Sequence, residues 1–513
     1  MLSAAEMREA DRATIEDLGL PDVVLMESAG AATAREIEAR YASARRIAIL
    51  CGKGSNGGDG FVIARRLLGR KPRVLLFGTR QDVGGAAAAH LRAYLAAGGT
   101  LHELRGASHW NRERDFVLDA DLVVDALLGT GLREAPRSLL GRAIRDLAAR
   151  QAPVVAVDLP SGVASDTGRL PGAAVRADVT VTFGALKCGH VLAPSESLCG
   201  EVVVADIGIP AAFLGAAALW ILDPADAAAA WGARRRDAHK GSLGHLLVIA
   251  GSRGKSGAAV LAGTAALRSG VGLVTVATPQ PALVRVARGR PELMTEGLGA
   301  TAAGTLARSA GPRALALAET RSAVVLGPGL GQHGETRAFV AGFVAGCPRP
   351  LVVDADGLNA LAALPRDRGL RVLAARREET VLTPHPGEAA RLLRQATRAI
   401  QAARLESARR LARLTGSVVV LKGHRSVVAA PSGRAVVNLT GNPGLATAGS
   451  GDVLSGIVGA LLARGRDAFT AASAAVFVHG RAADRLAALR GEEGLLAGDV
   501  ADALPETLRD LAR

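Results

Sequence analysis

Cysteine is scarce in this 513-residue chain: four residues, Cys51, Cys188, Cys199 and Cys347, with no CxxC pair among them. Thiols so few and so spaced exclude a disulfide-stapled scaffold and a zinc ribbon, and they point to a reducing, cytoplasmic setting. Aromatic residues make up only 3% of the chain, too few for the stacking platforms that hold single strands or RNA. Lysine is rare as well, six of the 62 basic residues, and the rest are arginine. Long apolar runs are missing. The longest charge-free apolar stretch, Ile207 to Leu222, has 16 residues and is interrupted by Pro210, short of the ~20 needed to cross a bilayer. The opening MLSAAEMREA reads as polar helix, which predicts no secretory leader. No membrane and no nucleic-acid partner is expected.

What the chain has is apolar bulk and positive charge. It is 49% hydrophobic and 21% charged, with a net charge of +14, which excludes disorder and allows a large core. Residues 1–215 carry 25 basic and 25 acidic residues, whereas residues 216–513 carry 37 and 23. All of the excess therefore belongs to the second half. It reads either as an anionic ligand there or as arginine decorating a solvated surface.

Short β-branched runs ending in Gly or Asp alternate with helical stretches throughout, a pattern that predicts mostly parallel α/β sheets in both halves. Strands are expected at Arg46–Cys51, Arg73–Phe77, Leu122–Asp125, Val154–Asp158, Asp178–Phe183 and Val202–Asp206. In the second half they are expected at His245–Ala250, Gly272–Ala277, Ala323–Leu326, Leu351–Asp354, Thr380–Leu382 and Val418–Leu421. Val427–Ala429 and Ala435–Asn438 form an expected hairpin. An Ala- and Pro-rich stretch with an Arg run, residues 216–237, reads as a linker with one short helix, dividing domains at 1–215 and 238–513.

In the first half CGKGSNGGDG, Cys51–Gly60, lies between a strand and a helix. Its glycines let backbone approach a ligand, the helix N-terminus offers free N–H groups, and Asn56 and Asp59 add oxygen ligands. VVDALLGTGLREA brings Asp125 and a second Gly turn, VAVDLPSGV brings Asp158 and Ser161, and TFGALKCG brings Lys187. One strand-tip Asp is ordinarily a helix cap, but several in one small domain suggest a site. This half resembles the NAD(P)H-hydrate epimerase family, whose loop reads approximately GNNGGDG and whose later motif reads approximately VDIPSG. The chain departs at Ser55, usually Asn, and at Leu159, usually Ile.

In the second half the core of NPGLATAGSGDVLSGIVGALLARG is AGSGD, Ala448–Asp452, opening a helical run near Val453. The amides of Gly449, Ser450 and Gly451 can form an anion hole, with Asp452 placed to take a proton from a hydroxyl. LGPGLG, TPHPGE and LKGHRS each follow a strand, and HKGSLGHLLVIAGSRGKSGAAVLAG opens the domain at His239. Lys422, ending an apolar strand, has a nucleotide phosphate as its natural partner. This half resembles the ribokinase-like superfamily through GxGD. It is more closely similar to ADP/ATP-dependent NAD(P)H-hydrate dehydratases through GSxGxSGAA, GPGLG, HPGE, LKG and NPGxATxGSGD. The two halves in this order resemble the bifunctional NAD(P)H-hydrate repair family.

The resemblance implies a Rossmann-like three-layer αβα domain followed by a ribokinase-like α/β domain. It implies repair of NADHX and NADPHX, in which one domain epimerises the R and S hydrates and the other dehydrates the S form at the expense of ADP. Asp158 and Asp452 are the implied catalytic residues. Ser55, Asn56, Gly57, Gly58 and Asp59, with Gly129, Thr130, Gly131, Leu132, Arg133, Glu134 and Ala135, would cradle the hydrate in the epimerase. Asn56, Asp125 and Ser161 would hold potassium. In the dehydratase Ala258, Gly329, Gly331 and His385 would contact the hydrate. Lys422, Gly423, His424, Arg425 and Ser426, with Asn442, Pro443, Gly444, Leu445, Ala446, Thr447, Ala448, Gly449, Ser450 and Gly451, would bind ADP. Magnesium is expected with the nucleotide, and a homo-oligomer is expected. A ribokinase-like small-molecule kinase fused to a nucleotide-binding domain is the alternative, because GxGD serves both chemistries.

Overall fold

The computed structural model describes all residues except Arg133, Ala216, Ala217 and Arg513. The chain divides into two compact units, residues 1–217 and 218–513.

In the first unit seven strands form one parallel sheet: β1 Ile47–Cys51, β2 Arg73–Leu76, β3 Leu101–Glu103, β4 Leu122–Ala126, β5 Val154–Val157, β6 Val179–Phe183 and β7 Glu201–Ala205. Their order is β3-β2-β1-β4-β5-β6-β7. Every residue of β1 and β4 is buried, as a parallel sheet covered on both faces requires. Alternation along β1 feeds two cores: Ile47, Ile49 and Cys51 pack on one face, Ala48 and Leu50 on the other. Sequence order reverses between β1 and β4, so a crevice opens past their carboxyl ends. The first helix, Ala4–Glu16, is fixed by a capping box in which Ser3 Oγ accepts from Glu6 N–H at 3.1 Å and Ser3 N–H donates to Glu6 Oε2 at 2.7 Å.

The second unit holds ten strands: β8 Leu219–Ile221, β9 His245–Ile249, β10 Leu273–Pro279, β11 Met294–Leu298, β12 Ala323–Leu326, β13 Leu351–Val353, β14 Thr380–Leu382, β15 Val418–Leu421, β16 Val427–Ala429 and β17 Ala435–Val437. Their order is β11-β10-β9-β12-β13-β14-β15-β16-β17-β8. Among the described residues, β16 alone runs antiparallel to both of its neighbours. Helices Ser256–Arg268 and Ser450–Ala463 pack so closely that a Cβ on Gly456 would meet the Ala262 carbonyl oxygen at 2.1 Å.

Three strands escaped the sequence reading: β3, β8 and β11. They are short or lie at sheet edges, and β3 and β11 lack continuous apolar runs. The stretch read as a linker, 216–237, is corrected. Within it β8 closes the edge of the second sheet against β17. Helix Pro224–Trp231 follows, with the Trp231 indole N–H donating to the Ser269 carbonyl at 3.1 Å. The Ala- and Pro-rich composition resembles a connector, but Leu219, Ala227, Ala230 and Trp231 are buried.

Candidate active sites

The first site begins where β1 ends. The chain turns through Gly52, Lys53 and Gly54 into helix Ser55–Arg66, whose early residues Asn56, Gly57, Gly58, Asp59 and Gly60 are all buried. Close approach demands glycine: a Cβ on Gly57 would lie 1.9 Å from the Gly52 carbonyl oxygen, and one on Gly52 2.1 Å from that of Leu127. The helix start is thereby drawn onto the end of β4, at the reversal of strand order.

There β4 delivers Asp125, fully buried. Its Oδ2 accepts from Ser161 N–H at 2.8 Å, and its Oδ1 accepts from the Ser161 hydroxyl at 2.6 Å and Leu127 N–H at 3.3 Å. Burial outweighs these bonds and pushes the carboxyl up to about 6. Just past β5, Asp158 adopts φ +65°, a left-handed conformation costly for a side chain and typical of functional sites. Its Oδ1 accepts from Lys187 Nζ at 2.7 Å and Thr182 Oγ1 at 2.9 Å. The ammonium also donates to Thr182 Oγ1 at 2.8 Å and the Phe183 carbonyl at 3.1 Å. Burial drives Asp158 upward, but the Lys187 charge and these hydrogen bonds win and hold it below the usual carboxylate value. His190 accepts from Lys187 N–H through Nδ1 at 3.0 Å and donates from Nε2 to the Asp158 carbonyl at 2.7 Å. Burial keeps it neutral, with its pKa down to about 4.

A cavity of about 1370 Å³ opens over these groups, lined by Ser55, Asn56, Asp59, Gly129, Thr130, Gly131, Leu132 and Asp158 of the expected set. Asn56 Nδ2 is buried without a hydrogen-bond partner, which marks it as waiting for a ligand. Asp59 is raised well above its ordinary range by burial and then by the charges of Asp158 and Asp11. Gly57 and Gly58 are not on the wall; Gly58 backs onto Met26 and Ala87. Glu134 is exposed beside Arg137, and Ala135 lies against Gly172. Arg133 lies outside the described residues. Asp125 and Ser161 bond to one another behind the wall. Motif reading did not include Asp11, Met7 or Arg137, which also line the cavity. They carry no local signature.

The second site gathers at the carboxyl ends of β12 to β15. After β12, Gly329 takes φ +64°, and a Cβ there would meet the Lys255 carbonyl oxygen at 2.9 Å and Ala258 Cβ at 3.0 Å. Gly331 N–H donates to Asp356 Oδ2 at 2.8 Å, which also receives Lys255 Nζ at 3.2 Å. After β14, His385 caps helix Pro386–Leu393: its Nδ1 accepts from Gly387 N–H at 3.0 Å, and Glu388 Oε2 accepts from His385 N–H at 2.8 Å. Burial, then Lys422 and Arg391, lower the His385 pKa. After β15, Lys422 N–H donates to the Pro384 carbonyl at 2.9 Å, joining the two loops.

The Lys422 ammonium, expected to meet a nucleotide phosphate, bonds to Asp354 Oδ1 at 2.7 Å. Buried Arg404 donates to the carbonyls of Leu421 and Lys422 at 3.1 and 3.2 Å from beneath the loop. Ser426 Oγ donates to the Gly423 carbonyl at 2.9 Å, and Arg425 to that of Leu439 at 2.9 Å; His424 is exposed in the same loop.

Helix Ser450–Ala463 starts three residues earlier than read, after Gly449 at φ +90°. The turn from Thr447 takes the Ser450 amide, which donates to the Thr447 carbonyl at 3.4 Å. Ser450 Oγ lies 3.3 Å from Nε2 of buried His479. Asn442 caps the turn Pro443–Leu445 and holds Asp484 Oδ1 at 3.0 Å. Ala446, Thr447 and Ala448 connect that turn to Gly449 and Gly451. Asp452, in the first helical turn, is pushed up to about 7 by burial and by Asp354, against the pull of Lys422. Asp354, Asp356, His479 and Asp484 were not singled out by motif reading. Each works through a partner far away in sequence.

Among the described residues no three His, Cys, Asp or Glu side chains gather into a metal centre, and no helix is long and apolar enough to cross a membrane.

These features define a fusion of a Rossmann-like domain with a deep ligand cavity and a ribokinase-like domain with a GxGD helix start. Residues 246–506 match the family model described as NAD(P)H-hydrate dehydratase, and residues 22–189 match that of the YjeF-related protein N-terminus. The chain is 43% identical to the bifunctional NAD(P)H-hydrate repair enzyme Nnr of Moorella thermoacetica, covering 100% of this chain and 97% of that protein. It is 39% identical to the protein of the same name from Escherichia coli, covering 97% and 92%. The ADP/ATP-dependent NAD(P)H-hydrate dehydratase of Bacillus subtilis, co-crystallised with ATP and Mg2+, aligns at 30% identity and a TM-score of 0.50, covering 57% of this chain and 98% of that one. The chain belongs to the bifunctional NAD(P)H-hydrate repair enzyme family. It is an enzyme with an epimerase domain followed by a ribokinase-like dehydratase domain.

Proposed function

We propose that residues 1–217 interconvert the R and S hydrates of NADH and NADPH, and that residues 218–513 dehydrate the S form with ADP, giving the reduced cofactor, AMP and phosphate. Inversion at C6 breaks the C6–N bond and re-forms it on the other face. A base takes the C6 hydroxyl proton as the carbonyl forms and the ring nitrogen leaves and is protonated, and the reverse steps return the proton to oxygen after rotation. Asp158, kept ionised by Lys187 and opening onto the cavity, serves as that base. Asn56, Asp59 and the Gly129–Leu132 turn hold the substrate beside it. The oxygens of Asp125, Ser161 and Asn56 are the carboxylate, hydroxyl and amide groups that a potassium ion takes as ligands, so these three residues would hold it, while the unpartnered Asn56 Nδ2, a hydrogen-bond donor, is left for an acceptor on the substrate. The ion's charge would balance Asp125 and favour an anionic substrate.

In the second domain the hydroxyl at C6 is a poor leaving group. Asp452 takes its proton while the oxygen attacks the β-phosphorus of ADP: the new O–P bond forms, the bond to AMP breaks, and AMP departs. The C6–O bond then breaks with phosphate as leaving group, helped by the ring-nitrogen lone pair. Loss of a C5 proton restores the double bond. His385, Ala258, Gly329 and Gly331 hold the hydrate; the Lys422–Ser426 loop and the Asn442–Gly451 segment hold ADP. Magnesium would enter on the nucleotide's phosphates. The four cysteines, all buried and none disulfide-bonded, suit a reducing cytoplasm.

The observation that carries this reading is Asp452 at the start of helix Ser450–Ala463, beside Lys422 and Asp354. The test is recovery of reduced-nicotinamide absorbance from mixed S,R-NADHX with ADP, ATP or no nucleotide. A stable phosphorylated product in place of the reduced cofactor would instead identify a kinase.

A further inference from the structure

Asp354 follows β13 and is 1% exposed. Both of its oxygens are committed: Oδ1 to Lys422 Nζ at 2.7 Å, and Oδ2 to the Ser455 hydroxyl at 2.6 Å. Ser455 lies three residues after Asp452 on the same helix, hence on the same face. One carboxylate thus ties the strand end that carries Lys422 to the helix that carries Asp452. Its backbone is equally constrained. A Cβ on Gly327 would lie 1.9 Å from the Asp354 carbonyl oxygen, and the next residue, Ala355, is held at φ 48° and ψ −118°, a strained conformation for a side chain. The ammonium so anchored sits over the helix start: a Cβ on Gly451 would lie 3.1 Å from Lys422 Nζ and 3.7 Å from Asp354 Oδ2.

We propose that Asp354 is a positioning residue of the dehydratase, holding the Lys422 ammonium against the first turn of helix Ser450–Ala463, where it meets the transferring phosphoryl group, with Ser455 locking the carboxylate in place. This rests on the reading of Asp452 as the group that activates the hydroxyl. Lys422 then acts at the reacting phosphorus, where charge develops, rather than as a distal anchor for the nucleotide.

The arrangement also has an electrostatic signature. Asp452 is faced by Asp354 and Lys422, and by Asp356 from the start of helix Asp356–Ala362. Glu388 acts on Lys422 from the neighbouring loop, Lys422 in turn lowers His385 and the buried His479, and Lys255 pairs with Asp356. Removing the Asp354 charge takes away a like charge and leaves Lys422 unpaired. Both effects favour the ionised form of Asp452.

The test uses the full chain with S-NADHX and ADP. Asp354→Asn is expected to lower kcat on the order of a hundred-fold, with KM for S-NADHX within about two-fold of the parent. The acid limb of its kcat/KM profile should move down by about one pH unit. Ser455→Ala keeps the charge, so kcat should fall about ten-fold while the acid limb stays where it was. Parent-like kcat in both variants overturns the proposal, and so does loss of turnover in Asp354→Asn with an unmoved acid limb. If Asp354→Asn does not fold, as read by its thermal melt, Ser455→Ala decides: unchanged kcat overturns the proposal, and a lower kcat at unchanged KM supports it. Asp452→Asn, run alongside, tests the underlying reading separately. Turnover retained there removes hydroxyl activation by Asp452 whatever Asp354→Asn does.

Discussion

Asp158, just past the end of β5, and Asp452, in the first turn of helix Ser450–Ala463, are both half-buried carboxylates, yet their surroundings push them in opposite directions. Asp158 accepts directly from Lys187 and Thr182 and stays ionised into acid. Asp452, pushed up to about 7, is half protonated near neutrality. A base must be ionised to accept a proton, so ADP-dependent dehydration should fall about ten-fold per unit below pH 7. Epimerisation should persist over the same range. Separate assays of R-NADHX loss and NADH recovery across pH check this, and parallel acid limbs would contradict it. Asp158→Asn should leave R-NADHX unconsumed while S-NADHX is still repaired. Lys187→Met should bring the epimerase acid limb upward, since burial would then act on Asp158 without its cationic partner. Asp452→Asn should abolish dehydration and spare epimerisation. Equal loss of both activities in either Asp variant would end the division of labour between the domains.

At the level of elements, the legible parts were those written in contiguous residues. β1, β4, β5 and β12 to β16 were readable because strands buried on both faces are unbroken apolar runs. The loops after them were readable because close backbone approach forces glycine. Gly57→Ala places a methyl group against the Gly52 carbonyl and should cost roughly 1–3 kcal/mol. It should also depress epimerisation while dehydration survives, which a melt and the two assays together would check. Edge strands β3, β8 and β11 were illegible because pairing on one side, or three residues, suffices for them and leaves no periodic signal. The supports of the sites were illegible for a different reason. Asp354 meets Lys422 and Ser455 at separations of 68 and 101 residues, and no local pattern records a partner chosen by tertiary packing. Asp11 reaches the epimerase cavity from the first helix in the same way.

At the scale of the molecule, the zero net charge of residues 1–215 and the +14 of residues 216–513 fall on two compact units with separate chemistries. Calorimetry should therefore resolve two transitions, and ADP should raise only one of them, because a ligand stabilises the fold that binds it. A single transition shifted as a whole would show that the two fold as one cooperative body. The short strand β8 has a practical consequence for anyone dividing the protein. A fragment beginning at residue 238, after the stretch that looks like a connector, loses the partner of β17 and bares that strand's backbone as an adhesive margin. Such a fragment should self-associate more than one beginning at residue 218, which keeps β17 paired with β8 and helix Pro224–Trp231 in place, a difference that light scattering would read.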